Sequence, residues 1–211
     1  MLFEKDLRSF FMSFKLKFCL TFIFSAAFAL ASYGQRVKPP QNVLEYFTAL
    51  PTKYFAPVKN VNERKKLVRI QDLENGFLRL ESNTWEGWGE VALFKNADGT
   101  KTLGVQTIGC GPGCETESIF FVQYKNGRWI DVTSDVLPEI SQTELNRVLK
   151  CYKPDTESPA FAYYELPRYG TTVKLIDNNE DEEAGSLLYE LAWNGTKFSA
   201  RAKRDRDCKE Q

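Results

Sequence analysis

Turn signals recur along this chain, and they restrict it to an antiparallel β architecture. Glu74-Asn75-Gly76, Asn96-Ala97-Asp98-Gly99, Lys125-Asn126-Gly127, Pro167-Arg168-Tyr169-Gly170 and Asn194-Gly195-Thr196 each separate two runs in which apolar and polar residues alternate. Asn-Gly and Asp-Gly accept the positive φ of tight turns, so each signal predicts a hairpin. The flanking runs are Leu67–Asp72 with Phe77–Glu81, Glu90–Lys95 with Thr102–Ile108, and Ser118–Tyr124 with Arg128–Thr133. After an interruption come Phe161–Leu166 with Thr171–Asp177, and Leu187–Trp193 with Lys197–Ala202. Successive hairpins imply a meander.

Two helical patterns frame these runs. Val43, Leu44, Phe47 and Leu50 share one helix face, Asn42 is placed to cap it, and Pro51 stops it. Ser141-Gln142-Thr143-Glu144 reads as a capping box that opens a helix through Leu145, Val148 and Leu149. The expected fold is therefore α+β: a meander of about eight to ten strands with one N-terminal helix and one helix between two β halves, 67–133 and 160–203. The halves end alike, in FFVQYKNGRWIDV and LYELAWNGTKFSA. Duplication would explain this, and so would ordinary aromatic cross-strand pairing.

The N-terminus reads as a signal peptide covering residues 1–34. Lys15 and Lys17 precede the apolar run Phe18–Leu30, and small residues place cleavage after Ala31 or after Gly34. The run is shorter than the roughly 20 residues that a membrane span needs, so no stable span is expected once it is removed. Met1 and Met12 both serve as candidate starts. Residues 35–211 then form one exported domain, periplasmic or secreted. Loss of the leader removes Cys19 and leaves Cys110, Cys114, Cys151 and Cys208. In an oxidising compartment these predict disulfides, with proximity favouring Cys110–Cys114 and Cys151–Cys208.

Composition narrows the chemistry. The 28 basic and 28 acidic residues balance, which gives no electrostatic footprint for nucleic acid. Histidine is absent, which removes His-based triads and dyads and His-ligated metal. No cofactor loop and no metal set is read.

Three stretches remain as candidates. Cys110-Gly111-Pro112-Gly113-Cys114 resembles a redox pair, but three residues separate its cysteines and no helix follows, so a structural clamp is favoured. Asn83–Glu90 carries Trp85 and Trp88 among glycines, a possible stacking surface, with Glu86 and Glu90 as ligand-contacting carboxylates. Asp177–Glu183 alternates oxygen ligands, but it has Glu182 and Leu188 where a calcium loop needs glycine and glutamate; it reads as a solvated tip. Asn194-Gly195-Thr196 doubles as a glycosylation sequon.

The leader ending Ser32-Tyr33-Gly34-Gln35, the Cys-Gly-Pro-Gly-Cys turn and the segment Tyr124–Thr133 resemble those of the small exported uncharacterised proteins of Bacteroidota. That resemblance implies compartment and β architecture and no activity. The expected function is a non-enzymatic exported domain that binds a protein or envelope component. The alternatives are a thiol-disulfide oxidoreductase using Cys110 and Cys114, or a carboxylate-based hydrolase acting on envelope polysaccharide.

Overall fold

The structure is a computed structural model and describes residues 39–203 apart from 59, 84, 112, 156–158 and 179–184. Ten strands run in sequence order: β1 Val68–Asp72, β2 Phe77–Leu80, β3 Gly87–Lys95, β4 Lys101–Cys110, β5 Cys114–Lys125, β6 Arg128–Asp131, β7 Ala162–Glu165, β8 Thr172–Asp177, β9 Ser186–Trp193 and β10 Phe198–Ala202. Strands β1 to β6 form one six-stranded antiparallel meander and β7 to β10 a second, four-stranded one. All five predicted hairpins are present. The pairings β2–β3, β4–β5 and β8–β9 join them without a break. At Lys125-Asn126-Gly127, Asn126 and Gly127 both adopt positive φ, 52° and 77°, as the sequence requires for a two-residue turn.

Among the described residues the helices are α1 Val43–Ala49, α2 Val61–Arg64, α3 Thr133–Val136 and α4 Gln142–Tyr152, with single 3-10 turns at Thr52–Tyr54 and Lys65–Leu67. They outnumber the two expected, because α2 and α3 are single turns too short to show periodicity. Asn42 caps α1 through its side-chain oxygen, which accepts from the Glu45 N–H at 3.0 Å. Ser141 caps α4 by accepting from the Glu144 N–H at 3.2 Å. Glu144 does not close a reciprocal box; its carboxylate accepts from Arg147 at 2.7 Å and from the Tyr189 hydroxyl at 2.7 Å on β9.

The large sheet is covered on both faces. On one face α1 and the following turn deliver Val43, Phe47, Leu50, Tyr54 and Phe55 onto Leu78, Leu80, Val91, Leu103, Val105 and Val122. On the other face Phe77, Ala92, Phe94 and Phe121 meet α4 and the small sheet through Leu149, Leu175, Leu191 and Phe198. Each such side chain that is fully removed from water contributes about 1.5–3 kcal/mol. Double coverage explains why β4 is buried from Thr102 to Ile108 without alternation. The polar residues in that run, Thr102, Gln106 and Thr107, each make a side-chain hydrogen bond, Gln106 through its Nε2, while its Oε1 accepts none among the described residues.

The sheets are also tied at their edges. The Trp193 indole N–H donates to the Lys95 carbonyl at 2.9 Å, and the Ala97 N–H to the Gly195 carbonyl at 2.9 Å. The sequon side chain is occupied in its own turn: Asn194 accepts from the Thr196 N–H at 2.9 Å and the Lys197 N–H at 2.9 Å. Asp177 is fully buried with Lys153 at 3.7 Å, so it is a structural residue and not part of a solvated tip; residues 179–184 of that stretch lie outside the described residues. Among the described residues no helix is long and apolar enough to cross a membrane.

Candidate functional site

Cys110 and Cys114 are disulfide-bonded, with sulfurs 2.10 Å apart, at the end of the β4–β5 hairpin where they pair directly across the strands. Cys151 is also disulfide-bonded, and Cys208 lies outside the described residues. The Cys110 N–H donates to the Glu86 carbonyl at 3.1 Å, so the clamp also holds the loop that carries Trp85. Cysteines facing each other across a hairpin do not open a helix, and the helix N-terminus that would lower a thiol pKa is missing here.

The two tryptophans of the Trp-Gly stretch lie on opposite faces of the large sheet. Trp88 faces the small sheet. Its ring meets Tyr163 edge-on at 5.4 Å, and the Arg79 guanidinium lies 4.4 Å above it. Trp85 is on the α1 face, edge-on to Phe55 at 6.5 Å. The two rings therefore form no joint platform. Neither indole N–H meets an acceptor among the described residues, whereas that of Trp193 does.

Glu86 and Glu90 separate in the same way. Glu86 is exposed in the loop. Glu90 is 3% exposed, and its carboxylate accepts from Arg79 Nη1 at 2.6 Å, from Gln106 Nε2 at 2.8 Å and from the Leu166 N–H at 2.8 Å. Burial is the dominant influence and raises its pKa; the Leu166 N–H, Arg79 and Gln106 act in the opposite direction.

The partners explain this arrangement. Strand β7 is an edge strand, and its backbone groups that do not face β8 need partners. Side chains of the large sheet supply them: Thr116 accepts from the Tyr164 N–H at 3.0 Å, Gln106 donates to the Tyr164 carbonyl at 2.5 Å, and Glu90 accepts from the Leu166 N–H. Glu90 is thus an inter-sheet clasp.

A cleft of about 500 Å³ opens beside Trp85, lined by Ala56, Pro57, Val58, Leu67, Ser82, Thr107, Glu117 and Ser118. Glu117 was not singled out from the sequence, and a β-bulge puts it here. Thr107 pairs with Ser118 while Ile108 pairs with Thr116, so Glu117 is the extra residue on β5. In an unbroken strand Thr116 and Ser118 would share a face. The bulge instead sends Thr116 to β7 and Ser118 to the Thr107 hydroxyl, 2.8 Å away.

Glu117 lies across Gly109, where a Cβ would come 2.4 Å from its Oε1, so a larger residue there would make the Glu117 side chain shift. A second, more polar cleft of about 590 Å³, lined by Lys66, Arg69, Glu81 and Asn83, shares Leu67 and Ser82 with the first. Among the described residues no three Cys, Asp or Glu side chains converge as a metal site.

No family model matches the chain, and no curated protein matches it. Among solved structures it is similar to a domain of an uncharacterised protein from Porphyromonas gingivalis W83. The TM-score is 0.51 at 15% identity, over 76% of this chain and 98% of the other. At that identity the likeness shows a shared fold and nothing about activity. That organism is a member of the Bacteroidota.

Proposed function

We propose that this chain is an exported, non-enzymatic binding domain and that the Trp85 cleft is its ligand site. One observation carries the reading. Trp85 and the aliphatic side chains of Leu67, Pro57 and Val58 line one cleft together with a few polar groups, Ser82, Thr107, Ser118 and Glu117. The volume is within the range of small-ligand sites, and an apolar wall with a few fixed polar groups is the usual composition of one.

The other candidate groups are engaged elsewhere. Glu90 and Trp88 are packed between the sheets, and Cys110–Cys114 closes a hairpin. A glycoside hydrolase needs two carboxylates flanking the scissile bond, and among the described residues Glu117 alone supplies one to this cleft. Export rests on the leader pattern and on cysteines held as disulfides.

The test is titration of solubilised envelope fractions into the mature chain and into Trp85→Ala. A folded Trp85→Ala variant should lose binding that the parent chain shows. Equal binding by both would refute the assignment of the site. Expression with the leader should yield a periplasmic or secreted chain starting at Ser32 or Gln35; an intact N-terminus in the cytoplasm would refute export.

A further inference from the structure

Resting on that reading of the Trp85 cleft, we infer that its ligand is an oligosaccharide. One sugar unit sits on Trp85 with its hydroxyls on Glu117 and Ser118, and the chain continues past Ser82 into the adjoining cleft. The groups present at each point select this ligand class. A pyranose has an apolar C–H face and a rim of hydroxyls that both donate and accept. The Trp85 ring and the Leu67 and Val58 side chains suit the face. The rim is met by a carboxylate, which only accepts, and by hydroxyls, which do both.

The Thr107 and Ser118 hydroxyls spend one hydrogen between them at 2.8 Å, so one hydroxyl hydrogen is left for a ligand oxygen. Among the described residues Glu117 accepts no hydrogen bond from a protein donor, and the bulge places it at the cleft, over Gly109. A carboxylate beside an aromatic ring also suits a cationic amine. The adjoining cleft presents Lys66 and Arg69 beside Glu81, which lies 4.0 Å from Arg69, so its charge is mixed; the hydroxyls of Ser82, Thr107 and Ser118 are what favour a sugar over an amine. An extended peptide that adds as a strand needs a free strand edge. Thr107 and Ser118 lie on β4 and β5, both interior strands, whereas β1, which brings Arg69 to the adjoining cleft, is an edge strand, so the peptide panel tests that mode there.

Two adjacent clefts of about 500 and 590 Å³, sharing Leu67 and Ser82, favour a chain of sugars over a single one. Lys66, Arg69 and Glu81 offer both charge signs to the second unit, which suits a neutral sugar.

The experiment titrates the mature chain by tryptophan fluorescence and calorimetry. The probes are a defined panel of oligosaccharides (neutral hexose, N-acetylhexosamine and uronate-containing) and a panel of extended peptides. The expected result is saturable binding of an oligosaccharide. Glu117→Gln should weaken it by about tenfold or more, the size of one charge-assisted hydrogen bond. Trp85→Ala should weaken it at least as much. Gly109→Ala should weaken it too, because its new Cβ displaces the Glu117 carboxylate while the chemical identity of every ligand-touching residue is kept.

Urea midpoints matching the parent chain establish that the variants fold. Binding of peptides and no saccharide, abolished in Trp85→Ala, would overturn the saccharide assignment and leave the binding-domain reading standing. Saccharide binding unchanged in folded Trp85→Ala and Glu117→Gln would overturn both. A chain that binds neither panel would also overturn the saccharide assignment.

Discussion

Glu90 offers the sharpest test of how the two sheets are held together. Replacing it with alanine removes the acceptor for three donors at once: the Leu166 N–H, the Gln106 amide and the Arg79 guanidinium. These donors do not lose equally. The Arg79 side chain is 26% exposed and regains water, whereas Leu166 and Gln106 are each 1% exposed and do not. Each buried donor hydrogen left without a partner costs about 1–3 kcal/mol. For the Leu166 N–H and one Gln106 N–H together that makes a loss of about 4 kcal/mol for Glu90→Ala, a downward shift of about 2 M in the urea midpoint.

Glu90→Gln keeps an acceptor for Leu166 and should lose only about 1–2 kcal/mol. Glu86→Ala, an exposed neighbour, should change stability by less than about 0.5 kcal/mol. The pH dependence gives an independent check. Burial raises the folded-state pKa of Glu90 above its ordinary 4.5, so the folded protein binds this proton more readily than the unfolded chain. The contribution of Glu90 to stability therefore rises as pH falls from above that raised value towards 4.5. The advantage of the parent chain over Glu90→Gln should widen across that window. A Glu90→Ala chain within about 0.5 kcal/mol of the parent would refute the clasp, and an advantage that narrows on acidification would refute the dominance of burial.

Glu144 has the opposite sign. Arg147, followed by the Tyr189 hydroxyl, holds its carboxyl down at about 2, so its stabilising contribution is complete above pH 4.5 and is lost as pH falls from 4.5 towards 2. An NMR titration should place Glu144 well below the other glutamates, and Glu144→Gln should flatten the acid-unfolding limb in that window. A midpoint near 4.5 would contradict the pairing.

The double variant Cys110→Ser/Cys114→Ser should lose about 2 kcal/mol, since the loop that the disulfide closes is short. It should also bind any cleft ligand more weakly, because Cys110 anchors the Trp85 loop through the Glu86 carbonyl. Urea unfolding read beside a binding titration checks both; unchanged binding would detach the clamp from the site. Arg64 is fully buried and donates to the carbonyls of Phe47 and Leu50 at the end of α1. Arg64→Ala should destabilise by about 2–3 kcal/mol in the same assay, and a loss under about 0.5 kcal/mol would deny that role.

How much of this was legible in the sequence follows from the range of each interaction. Strand positions and the five hairpins were readable because turn chemistry and alternation act within a few residues. Asn126-Gly127 specifies its turn whatever surrounds it, and Asn42 and Ser141 cap their helices by contacts three residues long. The Cys110–Cys114 bond, four residues apart and oxidised, followed from proximity in the same way. What lay beyond reach was which face each side chain takes once the strands are paired. Trp85 and Trp88 are three residues apart, yet the break between loop and strand sends one to α1 and the other to the small sheet.

Glu90 looked like a ligand carboxylate because the sequence does not show that β7 would bring its unpaired edge to it, with Leu166 seventy-six residues away. Glu117 went unnoticed because a bulge leaves no mark in the stretch Cys114-Glu115-Thr116-Glu117-Ser118; it exists only in the register between two strands. Local chemistry alone determined the strands, turns and caps of this protein. The pairing of sheets decided which of its polar residues hold the fold together and which are left facing a cleft.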